Sequence, residues 1–186
     1  MRILTSATNA IEIPAFTGIT STNELNYLSP SIPKNLKLKA VTSDGKDKLY
    51  ALFGLICKLE NKTSLVFCNH REAVERISDL LKSKGLKHGV FHGGMAQDER
   101  ERALIKFRNG SHRMLITTDL ASRGLDIPEV EYVIHYQIPP TENAFTHRNG
   151  RTARMQAEGF SFLVLAENEP KPAYLKIGRA SCRERV

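Results

Sequence analysis

The chain has 186 residues, 41% hydrophobic and 25% charged, an ordinary globular composition with apolar material for about one domain without staples. Lys and Arg number 27 against 20 Asp and Glu, a net +7 that points to a polyanionic partner without choosing among nucleic acid, nucleotide and membrane. Three cysteines with no close pair exclude a disulfide framework or zinc knuckle and make a reducing, cytoplasmic setting the expectation; no apolar run approaches the ~20 residues of a membrane span, and the start does not read as a signal peptide.

Residues 1–16 carry no partner sheet of their own. Thr17 to Lys34 is rich in Ser, Thr, Asn and Pro and reads as a linker or irregular extended segment. Leu36 to Val41 is a short alternating strand. Asp44 to Leu59 places Leu49, Leu52, Phe53 and Ile56 at helical spacing, with Cys57 expected on the apolar face. Ser64 to Cys68 is an apolar run of buried-strand length. The helix that follows carries Val74, Ile77, Leu80 and Leu81 on one face and ends at Lys84-Gly85. His88 to His92 is a strand, and Gln97 to Arg108 a helix with Ala103, Leu104 and Phe107 inward. Met114 to Thr118 and Tyr132 to His135 are strands. Asn143 to Arg154 reads as a helix, and Phe160 to Ala166 as a last strand.

Strands alternating with helices of about 10 to 15 residues predict an α/β fold, a doubly wound, mostly parallel sheet with helices on both faces. Ligands in such a sheet gather at the carboxyl ends of the strands.

Three segments carry chemistry. In His147-Arg148-Asn149-Gly150-Arg151-Thr152-Ala153-Arg154, a helical reading places Arg148, Arg151 and Arg154 along one face. Like charges so spaced repel unless an anion sits among them, and arginine's planar fork suits phosphate. A solvated basic face is the plainer reading of the same cluster. Thr117-Thr118-Asp119-Leu120-Ala121-Ser122-Arg123-Gly124-Leu125-Asp126 begins where a buried strand ends. Its hydroxyls and Asp126 can bond a phosphate or sugar; equally, Asp119 can cap a helix and Gly124 make a turn. Phe91-His92-Gly93-Gly94-Met95 turns into a helix opened by Gln97 and Arg100, a place suited to backbone phosphates or simply to a surface helix start. A fourth, weaker signal is Ser6-Ala7-Thr8.

Taken together and in this order, the segments resemble the C-terminal half of a DEAD-box ATP-dependent RNA helicase of superfamily 2. Ser6-Ala7-Thr8 is similar to the Ser-Ala-Thr motif that ends the first RecA-like domain, and Leu65-Val66-Phe67-Cys68-Asn69 to motif IV. The resemblance implies a RecA-like sheet over residues 36–170, an interdomain linker over 17–35 and the end of a first domain over 1–16. It implies RNA contacts from Gln97, Arg100, Thr118, Arg123 and Gly93, and nucleotide contacts from Gly124 and Asp126. Arg151 and Arg154 become arginine fingers on the γ-phosphate of ATP. His147, with Arg148, Ser6 and Thr8, couples the two domains. One position departs from the family pattern, which has Gly where this chain has Ala153; a methyl there would be tolerated in a helix.

The resemblance also implies RNA, ATP with Mg²⁺, and a first RecA-like domain of the same chain as partners, with no membrane. The 186 residues contain no Gly-x-x-x-x-Gly-Lys-Ser/Thr phosphate loop and no Asp-Glu-Ala-Asp motif. The chain is therefore expected to be a fragment that turns over no ATP alone, since hydrolysis needs the phosphate cradle and the Mg²⁺ ligands. Ile177 to Val186 reads as the in-frame translation of a sequencing-library adapter, with a genuine basic tail as the alternative. Two other functions fit the sequence. One is a superfamily 2 DNA helicase or translocase. The other is a non-catalytic nucleic-acid-binding module made of a lone second domain.

Overall fold

Leu65, Val66, Phe67 and Cys68 are all fully buried, as an uninterrupted apolar run at the centre of a parallel sheet must be. The computed structural model describes residues 35–43, 45, 47–119, 127–153, 158–167 and 169–170. The chain divides into two units, Met1–Ile32 and Pro33–Val186, and every described residue belongs to the second. The expectations for Ser6, Thr8, the 17–34 linker, Arg123, Gly124, Asp126, Arg154 and the 177–186 tail lie outside the described residues.

The described elements are β1 (Leu36–Thr42), α1 (Leu49–Leu59), β2 (Ser64–Cys68), α2 (Arg71–Ser83), β3 (Gly89–Phe91), α3 (Gln97–Arg108), β4 (Met114–Thr118), β5 (Tyr132–His135), α4 (Glu142–Asn149) and β6 (Gly159–Leu165). The strands form one sheet in the order β1-β6-β5-β2-β4-β3, and every pairing is parallel. Side chains alternate across it. Val66, Cys68, Ile116 and Ile134 pack on one face with Leu52 and Ile56 of α1 and Val74, Ile77 and Leu81 of α2. Leu65, Phe67, Leu115 and Val133 pack on the other with Leu104 and Phe107 of α3. Phe145 of α4 joins Leu163 and Leu165 of β6. Burying each such side chain contributes about 1.5–3 kcal/mol.

The helix ends follow local chemistry. Gly85, at φ +72°, closes α2; its N–H donates to Lys82 O and that of Leu86 to Leu81 O, the paired bonds of a glycine-terminated helix. Thr141 opens α4, its Oγ1 accepting from Ala144 N at 3.1 Å.

Two expectations are corrected. Helix α4 stops at Asn149 rather than running to Arg154. Cys57 is exposed, because its neighbours Leu55 and Ile56 take the buried stripe of α1. Cys68 is buried as expected, and burial pushes its thiol up to about 12, leaving it inert as a nucleophile. No helix among the described residues is long and apolar enough to cross a membrane.

The strand order sets the position of the site. From β2 the chain builds β3 and β4 on one side, then crosses to β5 and β6 on the other. The carboxyl ends of β2, β4 and β5 therefore lie side by side at the switch point, where α/β sheets place their ligands.

Candidate nucleotide and nucleic-acid site

Arg148 is the largest fully buried side chain, 1% exposed. It gathers residues that follow all three switch-point strands. Its Nε donates to Asp119 Oδ1 and its Nη2 to Asp119 Oδ2, both at 2.6 Å. Nη2 also donates to Asn69 Oδ1 at 2.7 Å, and Nη1 to Gln137 O at 3.0 Å. The guanidinium lies over the Phe67 ring, 5.3 Å from its centroid. Asn69 closes the mesh. Its N–H donates to Gln137 Oε1 at 2.8 Å, and its Nδ2 to Ile138 O at 3.0 Å. A buried charge is tolerable only when paired and hydrogen-bonded, and here one residue is matched by a bidentate carboxylate, an amide and a carbonyl. The expected cationic face of Arg148 and Arg151 is thereby corrected. Arg148 turns inward, its charge is met by Asp119, and no external anion is needed to offset it. Asp119 and Gln137 carry no motif signal as Arg148 partners; the signal that could have found Asp119 is the single carboxylate directly after a buried strand.

Beyond α4 the backbone turns back. Arg151 N donates to Arg148 O, and Thr152 N to Asn149 O. Arg151 O accepts from Val130 N at 3.0 Å, and Thr152 Oγ1 donates to Glu131 O at 3.2 Å. Asn35 Nδ2 donates to Ala153 O at 3.2 Å. The main chain of Arg151 is thus fixed on both sides, while the residue stays partly exposed. His147 is half-exposed in the last turn of α4.

Behind this turn His135 is buried on β5. Its Nε2 lies 3.2 Å from Asn149 Oδ1 and 3.0 Å from Ser161 Oγ. Burial, and then the nearby Arg148 charge, push its pKa down to about 3, so it stays neutral as a structural hub.

A second group of residues surrounds the start of α3. Gly93 and Gly94 are exposed, and a side chain on Gly93 would meet nothing within 4 Å. Neither glycine has a positive φ, so the turn does not require them; Gly93 leaves open space. Gln97 is exposed, its Nε2 donating to Glu101 Oε1 at 2.9 Å. Arg100 lies over Phe91, 5.1 Å from the ring centroid, and its buried Nε has no hydrogen-bond partner among the described residues. Thr118 is nine-tenths buried at the end of β4.

Residues 47–156 match the model of the helicase conserved C-terminal domain. The chain belongs to that family. It is 38% identical over 141 residues to the ATP-dependent RNA helicase MAK5 of Phaeosphaeria nodorum, covering 76% of this chain and 17% of the relative. The fold is similar to a DEAD box protein from the hyperthermophile Methanococcus jannaschii, with a TM-score of 0.67 and 30% identity over 75% of this chain and 38% of that one. It is similar also to Saccharomyces cerevisiae Dbp5 bound to RNA and ADP BeF3, with a TM-score of 0.66 and 28% identity over 74% and 37%. The chain spans about a fifth of the length of the curated relatives it matches. It is a C-terminal RecA-like domain of the DEAD-box type.

In this helicase domain Ala153 takes the place of the last Gly of the family pattern. It is not helical. Its φ is +54°, in the left-handed region where Cβ crowds the following carbonyl. Tolerance in a helix therefore does not apply to it. The methyl also faces Gly159, where a side chain would collide with Thr152 and Ala153. Replacing Ala153 with Gly is expected to stabilise the domain by about 0.5–1 kcal/mol, the relieved strain being partly offset by unfolded-chain entropy. Urea denaturation measures it, and a lower midpoint for the Gly variant would contradict the strained geometry.

Proposed function

We propose that the chain is one half of an ATP-dependent RNA helicase, supplying arginine fingers and part of the RNA surface to a composite site. The observation that carries this reading is the pinned Arg151, its backbone fixed through N and O while the residue stays partly exposed. An arginine finger needs that combination, because a preorganised cation costs no reorganisation when charge develops on the transferred phosphoryl group. Arg154 is assigned the second finger, and Asp126 and Gly124 the nucleotide sugar side. His147 is assigned to coupling with the first domain, as are Ser6 and Thr8. Arg148, being buried, acts there by positioning: it ties the loops after β2, β4 and β5 to the helix that carries His147.

ATP, with Mg²⁺, is assigned to a first RecA-like domain. Among the described residues no three His, Cys, Asp or Glu come together as metal ligands. When bound, that metal would neutralise charge on the phosphates. The present residues supply the cations from the opposite side. RNA is assigned to Gly93, Gln97, Arg100, Thr118 and Arg123, chiefly through its sugar–phosphate backbone, so recognition should tolerate sequence. The exposure of Gln97 and the open space at Gly93 support this. Local strand separation follows if the closed pair of domains accepts only a bent single strand. A cytoplasmic setting is in keeping with the free thiols of Cys57 and Cys68.

The RNA assignment is tested by replacing Gln97 and Arg100 with Ala. Loss of one phosphate-contacting cation should weaken single-stranded RNA binding at every sequence and lower the salt slope by about 0.7. An unchanged slope would remove the phosphate contact from Arg100.

A further inference from the structure

A groove of about 450 Å³ runs beside α3 on the sheet edge made by β3. It starts at Met95, inside the turn assigned to RNA, and reaches Lys106 in the last turn of the helix and His112 beyond it. Four cations line it, Lys82, Lys87, Arg102 and Lys106, against one carboxylate, Glu99. Two of the four are already matched: Lys82 lies 3.7 Å from Asp79 and Arg102 2.8 Å from Asp98. Lys87 and Lys106 have no acidic partner among the described residues, and both are exposed. The imidazoles lining the groove add no anion. His88 spends its nitrogens on Ser78 Oγ and Leu86 O. His112 leaves its buried Nδ1 without a partner among the described residues. The floor is apolar, from Leu86, Val90 and Ala103.

We infer that this groove is a second RNA-backbone track, taking the strand onward from the Gly93–Arg100 turn along α3; it rests on the RNA reading above. Arg102, whose exposed pair with Asp98 contributes little and can yield to a phosphate, and Lys106 are one helical turn apart, about 6 Å, comparable to the step between phosphates on an extended strand. The apolar floor offers a surface for sugar or base faces between the cations. The groove is continuous with the turn through Met95, which neither an isolated anion site nor a separate protein-docking patch requires. The track adds affinity through counterion release, so it acts only on a strand long enough to reach it.

The test uses the chain with Lys87→Ala and Lys106→Ala together. Both side chains are exposed, so the fold is kept. Binding of labelled oligouridylates of about 6 and about 20 nucleotides is measured across salt concentrations. The expected result is a loss of about tenfold on the long strand at low salt, a salt slope smaller by about 1.4, and unchanged binding of the short strand. Equal loss on both lengths, or no loss on the long one, would overturn the track. The Gln97→Ala, Arg100→Ala variant separates the two readings, because it should weaken both lengths. If it does so while the lysine variant matches wild type, only the groove assignment fails. If the unaltered chain binds neither length, the RNA reading itself fails. Loss of polyglutamate binding in the lysine variant, with both RNAs unaffected, would assign the groove to an acidic protein segment and overturn the RNA track.

Discussion

Arg148→Ala is expected to destabilise the domain by about 3–5 kcal/mol, the cost of breaking a buried ion pair from one side. The substitution leaves the Asp119 carboxylate, 22% exposed at its side chain, without its bidentate partner. It also leaves Asn69 Oδ1 and Gln137 O without their donor and uncovers the Phe67 ring. For a domain of this size, about 2–4 °C per kcal/mol translates into a melting point lower by about 10 °C. Arg148→Lys should recover only part of the loss, because one ammonium cannot serve two carboxylate oxygens, an amide and a carbonyl in fixed directions. A double-mutant cycle with Asp119→Ala isolates the pair, and their coupling should be a large share of the total. A melting point within 2–3 °C of wild type, about 1 kcal/mol, would mean that Arg148 does not hold these loops together.

Arg151→Ala should behave in the opposite way. Its backbone bonds to Arg148 O and from Val130 N survive the substitution, and the residue is partly exposed. The loss of stability should therefore be smaller than that of Arg148→Ala. In a two-domain enzyme carrying this segment, ATP turnover should fall by about 10³-fold or more, within the range of a lost arginine finger. The loss should appear in kcat more than in KM, because the cation matters most as charge develops on the phosphoryl oxygens. Steady-state turnover with saturating RNA measures it. A variant that keeps near-wild-type kcat would remove Arg151 from the finger role, whatever happens to its stability. Two arginines three residues apart thus separate cleanly, one seen in the melting curve and the other in the rate.

The sheet was legible because its strands are short, apolar and bounded by polar turns. Ser64–Cys68, Met114–Thr118 and Tyr132–His135 fall where the pattern of the chain places them. Helix α4 was harder to read. Its buried positions are Ala144, Phe145, Arg148 and Asn149, so half of its inward face is polar and apolar periodicity cannot report it. For the same reason Arg148 looked like one member of an exposed cluster. Its direction is set by Asp119 and Asn69, which are distant in sequence and become neighbours only through the strand order. The end of α4 is also tertiary. Residues 150–153 are compatible with a helix, but bonds to Val130, Glu131 and Asn35 pull the chain out of it. The positive φ of Ala153 follows from those ties and leaves no trace in the residue itself. The groove along α3 was hidden because Lys87 and Lys106 are separated by a strand start and a helix and look like ordinary surface lysines.

In the proposed helicase, this domain completes a site whose phosphate cradle lies on another domain. RNA-stimulated ATP turnover tests it most directly, measured for this chain alone and for the same chain joined to a first RecA-like domain from a DEAD-box relative. The expected result is no turnover above background alone and RNA-dependent turnover in the joined protein, lost again on Arg151→Ala. Turnover by the isolated chain, or a joined protein indifferent to Arg151, would contradict it.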